Sequence, residues 1–331
     1  MSGESRPGNR GRGTSVPSDS DTKREEGASA DGLSRSATLL SILVVGDTTR
    51  REFRDAGACL GKWGSVAAFS DPDSAAAALV ENHVSPDLLV VAQAFPGQFS
   101  HETIDRLRRL APLARVLGLM GSWCEGEMRS GSPWPATVRT YWHHWPARGN
   151  RQLRRLATGQ SCSWALPLTA TDEERLLGDV AQPSWSPMCA TAWNKQCGRQ
   201  TSERTLLVPS SGTLVIRSLS REMADWLSAA CRNRGLVTIW QRNSAFTDVE
   251  GAAAAIFDCT DLCDDQCDAM RRFAEALRPA PLIALLSFPR IEDHDRAVAA
   301  GASAVLSKPL LLEDLLEAVA QSIAVQEASQ Q

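Results

Sequence analysis

The chain has 331 residues, 43% of them hydrophobic and 22% charged, with a net charge of −4. That length has room for about two ordinary domains with their own cores, and the charge balance excludes the concentrated basic surface that nucleic acid or an acidic membrane would require. No apolar run approaches the roughly 18 residues of a membrane span and no apolar signal core is present, so the expected setting is the cytoplasm and the expected partner a protein or small molecule. Nine cysteines, an odd number without a secretion signal, point to free buried thiols rather than a disulfide framework.

Residues 1–37 contain no aromatic side chain and are dominated by Gly, Ser and charge, with six basic and six acidic residues that cancel. Such a segment buries too little apolar surface to offset its ordering entropy and is expected to be a disordered tail. From Leu39 the pattern changes to the strand-like run LLSILVVGD. A helical stretch follows in which Phe53, Ala56, Gly57 and Leu60 share one face, and SVAAFS then reads as a second strand. DPDSAAAALVENHV opens on a capping aspartate, DLLVVA is apolar throughout, and HETIDRLRRLA leads into RVLGLMG. TVRTYW is the expected fifth strand and NRQLRRLATG the last helix. Strands apolar along their whole length, each separated by one helix, imply a parallel sheet covered on both faces over residues 38–158.

Residues 159–206 show no sustained period but hold three tryptophans and three cysteines, and are expected to form a partly ordered connector packed on one of the domains. Residues 207–331 repeat the alternation. TLVIRS precedes a helix whose stripe is Met223, Trp226, Leu227, Ala230 and Cys231. LVTIW, AAAAIFD, DAMRRFAEAL, PLIALLSF, DHDRAVAAGA, SAVLS and LEDLLEAVAQSI follow. The count suits a second five-stranded unit with a shortened second helix, so the chain reads as an internal duplication.

The segment PLIALLSFPRIEDHDRAVAAGASAVLSKPLLLEDLLEAV resembles the second half of a response-regulator receiver (CheY-like) domain, with its fourth strand and helix, glycine, fifth strand, Lys-Pro and last helix in order. ILVVGD and SPDLLVVA are similar to the first and third strands of the same fold. The resemblance implies an α/β protein with two flavodoxin-like, doubly wound parallel sheets in tandem, strand order 2-1-3-4-5, with the chemistry at the carboxyl ends of the strands. It places Asp258 at the phosphoacceptor position and Lys308 at the lysine that contacts phosphate or neutralises the carboxylate. The acidic pair that would hold Mg²⁺ is replaced by Arg217, Ser218 and Leu219, which leaves at most a weak Mg²⁺ site and suggests Arg217 as a substitute cation beside Asp258. Leu286 stands at the hydroxyl position of the fourth strand with Ser287 one place later, and Val305 at the aromatic switch position. In the first copy Ala92 occupies the acceptor position and Asp47 remains from the acidic pair.

Two other clusters carry chemistry-bearing residues. Cys124, Glu125, Glu127, His143 and His144 are of metal-ligating types flanked by tryptophans, although their spacing matches no zinc pattern and Trp/His clusters commonly pack over a sheet end. Cys259, Cys263 and Cys267 are spaced to share a helix face, but neighbouring aspartates disfavour their thiolates, so a solvated loop entering a helix is expected. No helix-turn-helix, Walker or Gly-rich phosphate loop or kinase motif follows either copy, so no enzyme activity is expected. The resulting expectation is a pseudo-receiver that acts by protein–protein contact with a kinase, phosphotransfer or effector protein, using the face formed by residues 294–302, 304–307 and 312–323. Two alternatives remain open: a working phosphorelay regulator phosphorylated on Asp258, and a metal- or ligand-binding protein centred on the WCEGE and YWHHW segments.

Overall fold

The computed structural model describes residues 39–81, 85–135, 137–180, 212–242 and 246–330. The tail expected over 1–37 and the part of the connector beyond residue 180 lie outside the described residues. The apolar runs of the first half build one sheet from β1 (Leu40–Val45), β2 (Gly64–Phe69), β3 (Leu88–Gln93), β4 (Arg115–Met120) and β5 (Val138–Tyr141). Their order is β2-β1-β3-β4-β5 and every pairing is parallel. The helices are α1 (Arg54–Trp63), α2 (Pro72–Glu81), α3 (His101–Leu110), the short α4 (Glu127–Ser130) and α5 (Asn150–Ala157).

Helices on both faces explain why β3 is buried along its whole length: Leu88, Val90 and Ala92 feed one core, Leu89 and Val91 the other. Asp71 accepts from the Ser74 backbone N–H at 2.8 Å and starts α2 as its sequence implied. Phe53, Ala56 and Leu60 are buried against β1 and β3, whereas Gly57 faces solvent. Beyond α5, Cys162 and Trp164 close the same core, and α6 (Asp172–Val180) follows.

The second sheet repeats the topology with β6 (Thr213–Arg217), β7 (Val237–Gln241), β8 (Ala252–Asp258), β9 (Leu282–Ser287) and β10 (Ala304–Lys308), ordered β7-β6-β8-β9-β10 and parallel throughout. Its helices are α7 (Arg221–Arg232), α8 (Asp264–Ala276), α9 (Ile291–Ala299) and α10 (Leu312–Gln330). Each sheet therefore has the flavodoxin-like order 2-1-3-4-5. Two expectations are corrected. The described residues between β7 and β8 contain no helix; Phe246 and Val249 pack onto the core there. Trp226 stands outside the α7 stripe and is exposed, its place taken by the smaller Ala224 and Ser228.

Both sheets lie in one compact unit, and the joint between the two lobes is ionic as well as apolar. α10 is buried around its circumference from Glu313 to Ala320, with Leu315, Leu316 and Val319 on its own sheet. Its acidic side meets arginines of the first lobe. Arg148 Nε and Nη2 donate to Asp314 Oδ2 at 3.0 and 2.6 Å. Arg151 Nη2 lies 2.9 Å from Asp314 Oδ1, an ion pair without hydrogen-bond alignment. Arg154 reaches Glu317 at 3.1 and 3.3 Å. Alongside, Ala147 enters the second core, Trp142 meets the His294 ring edge-on at 5.7 Å, and Arg51 pairs with Asp295.

This joint corrects the expected docking face. Much of the surface formed by α9, β10 and α10 is occupied by the chain's own first lobe, because Arg148 and the hydrophilic helix NRQLRRLA that follows it are complementary in charge to α10. Removing one partner of a buried ion pair strands the other, at a cost of about 3–5 kcal/mol, whereas exposed pairs contribute about 1 kcal/mol or less. Asp314→Ala is accordingly expected to lower the urea-unfolding free energy by about 3–5 kcal/mol, and Asp268→Ala, which breaks the exposed pair with Arg271, by no more than about 1 kcal/mol.

Candidate functional site

Strand direction gathers the polar groups of the second lobe at the carboxyl ends of β6, β8 and β10. Asp258 is the last residue of β8 and Lys308 the last of β10. Ile256 and Leu306, two residues earlier in each strand, both lie in the core under α7 and α10. The period of two therefore sends Asp258 and Lys308 to the same side of the sheet. Lys308 Nζ donates to Asp258 Oδ1 at 2.6 Å and to the Cys259 carbonyl at 3.0 Å. The other carboxylate oxygen, Oδ2, accepts from Ser218 Oγ at 2.6 Å. Ser218 is fully buried and is itself placed by Trp240, whose indole N–H donates to the Ser218 carbonyl at 3.1 Å.

Arg217 and Ser287 do not complete this cluster. Arg217 is in register with Phe257, and Val215 and Phe257 face the opposite core, so its guanidinium lies over the Phe246 ring at 5.8 Å and makes no ion pair with Asp258 among the described residues. Its Nε and Nη1 are buried without a hydrogen-bond partner among those residues, and burial lowers its pKa while Asp258 and Cys259 act in the opposite sense. Ser287 is in register with Lys308, but none of the described hydrogen bonds joins it to Lys308 or Asp258. Ser218 carries no signal of this role in the sequence, where it stands at a place that the receiver pattern gives to a carboxylate; its hydroxyl fills that place as a donor.

The donor set does not suit Mg²⁺, which takes hard oxygen ligands in near-octahedral geometry. Asp258 is the one carboxylate of this cluster, its oxygens are engaged by an ammonium and a hydroxyl, and no group of three His, Cys, Asp or Glu residues that could hold a metal occurs among the described residues.

Sheet register locates the corresponding positions of the first lobe. Val45 pairs with Val91 as Arg217 pairs with Phe257, so Ala92 corresponds to Asp258 and Gly46 to Ser218. Pairing through Leu119 and Thr140 carries the correspondence to Trp142 at the place of Lys308. Ala92 and Trp142 belong to one apolar core, so an apolar couple stands where the second lobe has its ion pair. Gly46 has φ of +114°, and a Cβ there would come within 2.5 Å of the Ala92 carbonyl oxygen; the backbone itself closes the space. Asp47 is exposed and accepts from Thr49 Oγ1 and N, which lowers its pKa; it holds a turn.

The metal-type residues of the first lobe are not assembled as ligands. Cys124 Sγ donates to the Gln93 carbonyl at 3.3 Å, and burial pushes its pKa to about 11. Glu127 pairs with Arg139, and His143 Nε2 contacts Glu125 at 2.6 Å. His143 and His144 lie in a 3₁₀ turn after β5 (Trp142–His144) rather than on a strand, with rings perpendicular at 4.4 Å. Neither ring nitrogen of His144 has a hydrogen-bond partner among the described residues. Of the three clustered cysteines, Cys259 and Cys267 are buried and Cys263 is exposed; Cys259 lies in the loop before α8, where burial raises its pKa to about 11.

No protein-family model and no curated protein matches the sequence. Among solved structures the chain is similar to a response regulator receiver domain protein (CheY-like) from Methanospirillum hungatei, at 21% identity over 36% of this chain and 98% of that one, with a TM-score of 0.32. It is also similar to a response regulator from Thermotoga maritima, at 20% identity over 34% of this chain and 98% of that one, TM-score 0.29. A pilus assembly protein CpaE from Caulobacter crescentus is similar at 15% identity over 33% of this chain and 92% of that one, TM-score 0.29. The fold assignment rests on the strand order and parallel pairing of the two sheets. No helix among the described residues is long and apolar enough to cross a membrane.

Burial lowers the pKa of His144 well below its ordinary 6.5, with Arg148 and His143 acting in the same direction. Burial also lowers that of His294, where His143 adds to the effect and Asp55 opposes it. A base held neutral in the folded state binds fewer protons than in the unfolded chain, so its contribution is fully present above about pH 6.5 and lost as pH falls below it. The urea midpoint is therefore expected to fall as pH is lowered from 7.5 to 5.5, and His144→Leu to flatten that dependence.

Proposed function

We propose that the chain is a signal-transduction regulator made of two tandem receiver-like domains, residues 38–158 and 207–331, and that it is a pseudo-receiver acting by contact with a partner protein. The observation that carries this reading is the closed constellation at Asp258. Its Oδ1 is held by Lys308 and its Oδ2 by Ser218, each at 2.6 Å. An aspartate that attacks a phosphoryl donor needs a free oxygen and cations to offset the charge of the incoming group. Here the lysine neutralises the aspartate itself, the positions of the acidic pair carry Arg217 and Ser218, and the first lobe has no nucleophile at Ala92.

The ion pair then serves as a brace between the ends of β8 and β10, which keeps the lobe in one conformation without a phosphorylation signal. Fixed protein–protein contact is the output that such a brace supports, with an effector as the partner. With much of the α9–β10–α10 surface covered by the first lobe, the partner contact is assigned to the remaining surface.

Phosphorylation of the full chain with acetyl phosphate and Mg²⁺, resolved on a phosphate-affinity gel beside Asp258→Asn, tests the reading. The expected result is the same unshifted band for both proteins. A shifted band in the wild type that Asp258→Asn lacks would overturn it and make the chain a working phosphorelay regulator.

A further inference from the structure

The two lobes differ on one face of their sheets. In the first, α2 lies beside α3 and buries Ala75, Ala76 and Leu79 in the core that holds Leu43 and Val45 of β1. Asp73, in the first turn of α2, accepts from Arg106 of α3 at 2.6 Å. The second lobe has no helix at this place among the described residues; the chain passes from β7 to β8 as a loop whose Phe246 and Val249 rest on the core. On the same face of β7, Ile239 is in register with the buried Val215, and Val237 stands two residues earlier. Without a covering helix, Ile239 is 38% exposed and Val237 60%.

The helix beside this face keeps the charge that α2 meets in the first lobe. Leu119 pairs with Ala92 and Leu285 with Asp258, so the two strands are aligned. Counting back from them matches Ile104, Leu107 and Ala111 with Met270, Phe273 and Leu277, all buried. The same count sets Arg272 of α8 at the place of Arg106. Arg272 is exposed and makes no ion pair among the described residues, the carboxylate one turn before it, Asp268, being held by Arg271 at 2.6 Å. Asn243, Ser244 and Ala245, which lie outside the described residues of the neighbouring loop, carry no carboxylate.

We propose that this face receives an amphipathic helix of a partner protein, with small apolar side chains against Val237 and Ile239 and a carboxylate of its first turn at Arg272. The chain's own α2 shows the chemistry that fits: an acidic first turn, which the helix dipole favours, followed by the stripe Ala75, Ala76 and Leu79. β7 stands at the opposite edge of the sheet from β10, on which the first lobe packs, so the joint between the lobes leaves this face open. The site rests on the reading of the chain as a regulator that acts by protein contact, and gives that contact a place and a chemistry.

The probe is a fluorescent peptide of residues 70–81, titrated with the full chain and followed by anisotropy. A hydrocarbon staple on the side away from Ala75, Ala76 and Leu79 holds it helical, since so short a helix is marginal alone. Saturable binding is expected, lost in Ile239→Asp and kept in Trp226→Asp, which changes an exposed apolar residue on the other side of the sheet. Arg272→Gln in the protein and Asp73→Asn in the peptide should each weaken binding about threefold, as an exposed ion pair allows, and together no more than either alone. Absence of saturable binding, or affinity unchanged in Ile239→Asp, would overturn the site. Dimerisation of the chain by itself that Ile239→Asp abolishes would give the face to a second copy and overturn the partner helix. A phosphate-affinity shift at Asp258 would instead overturn the pseudo-receiver reading and leave the peptide result standing, so the two failures are told apart.

Discussion

The arrangement of the two lobes depends on the contact of Arg148, Arg151 and Arg154 with Asp314 and Glu317. Side chains of Arg151, Asp314 and Glu317 are each at least 98% buried. Taking such charges out of water costs several kcal/mol per ion unless the partner is in place. Neither α5 nor the acidic side of α10 can therefore be buried without the other. This constraint explains how a helix reading NRQLRRLA comes to lie inside the molecule, with Arg151, Gln152 and Arg155 all buried. It also sets the relative position of everything attached to those helices, including the Trp142–His294 contact.

The same fold is finished differently at its two sets of strand ends. In the second lobe, Asp258, Lys308 and Ser218 form a compensated polar cluster. In the first, Ala92 and Trp142 replace anion and cation together with apolar groups. Replacing both members of a buried pair avoids the penalty that removing one would bring. The two lobes thus show two stable solutions to one structural problem, and neither leaves an uncompensated charge at the end of the third strand.

Much of the architecture was legible in the chain. Continuous apolar runs such as LLVVA and LIALLS announce strands buried on both faces, and the intervening helical periods require parallel pairing. Lys308 and Asp258 were legible as a pair through the resemblance to receiver domains, which places each at the end of an apolar strand. Ser218 was not, since a serine beside an arginine carries no signal until sheet register shows which of the two turns toward Asp258. The burial of α10 had a trace in its sequence: its apolar residues are spread around the helix rather than confined to one stripe, as expected of a helix covered on more than one side.

The sequence by itself determined two parallel α/β sheets, because the period of a strand or a helix is a local property, while their strand order and the polar pair at the end of the second were what the resemblance to receiver domains implied. Only the tertiary structure decided that the charged last helices meet and that Arg217 turns to Phe246 while Ser218 holds Asp258. Each of these depends on groups far apart in the chain. Desolvation and charge compensation act on the assembled surroundings of a residue, so a residue's identity leaves them open until the partner's position is known.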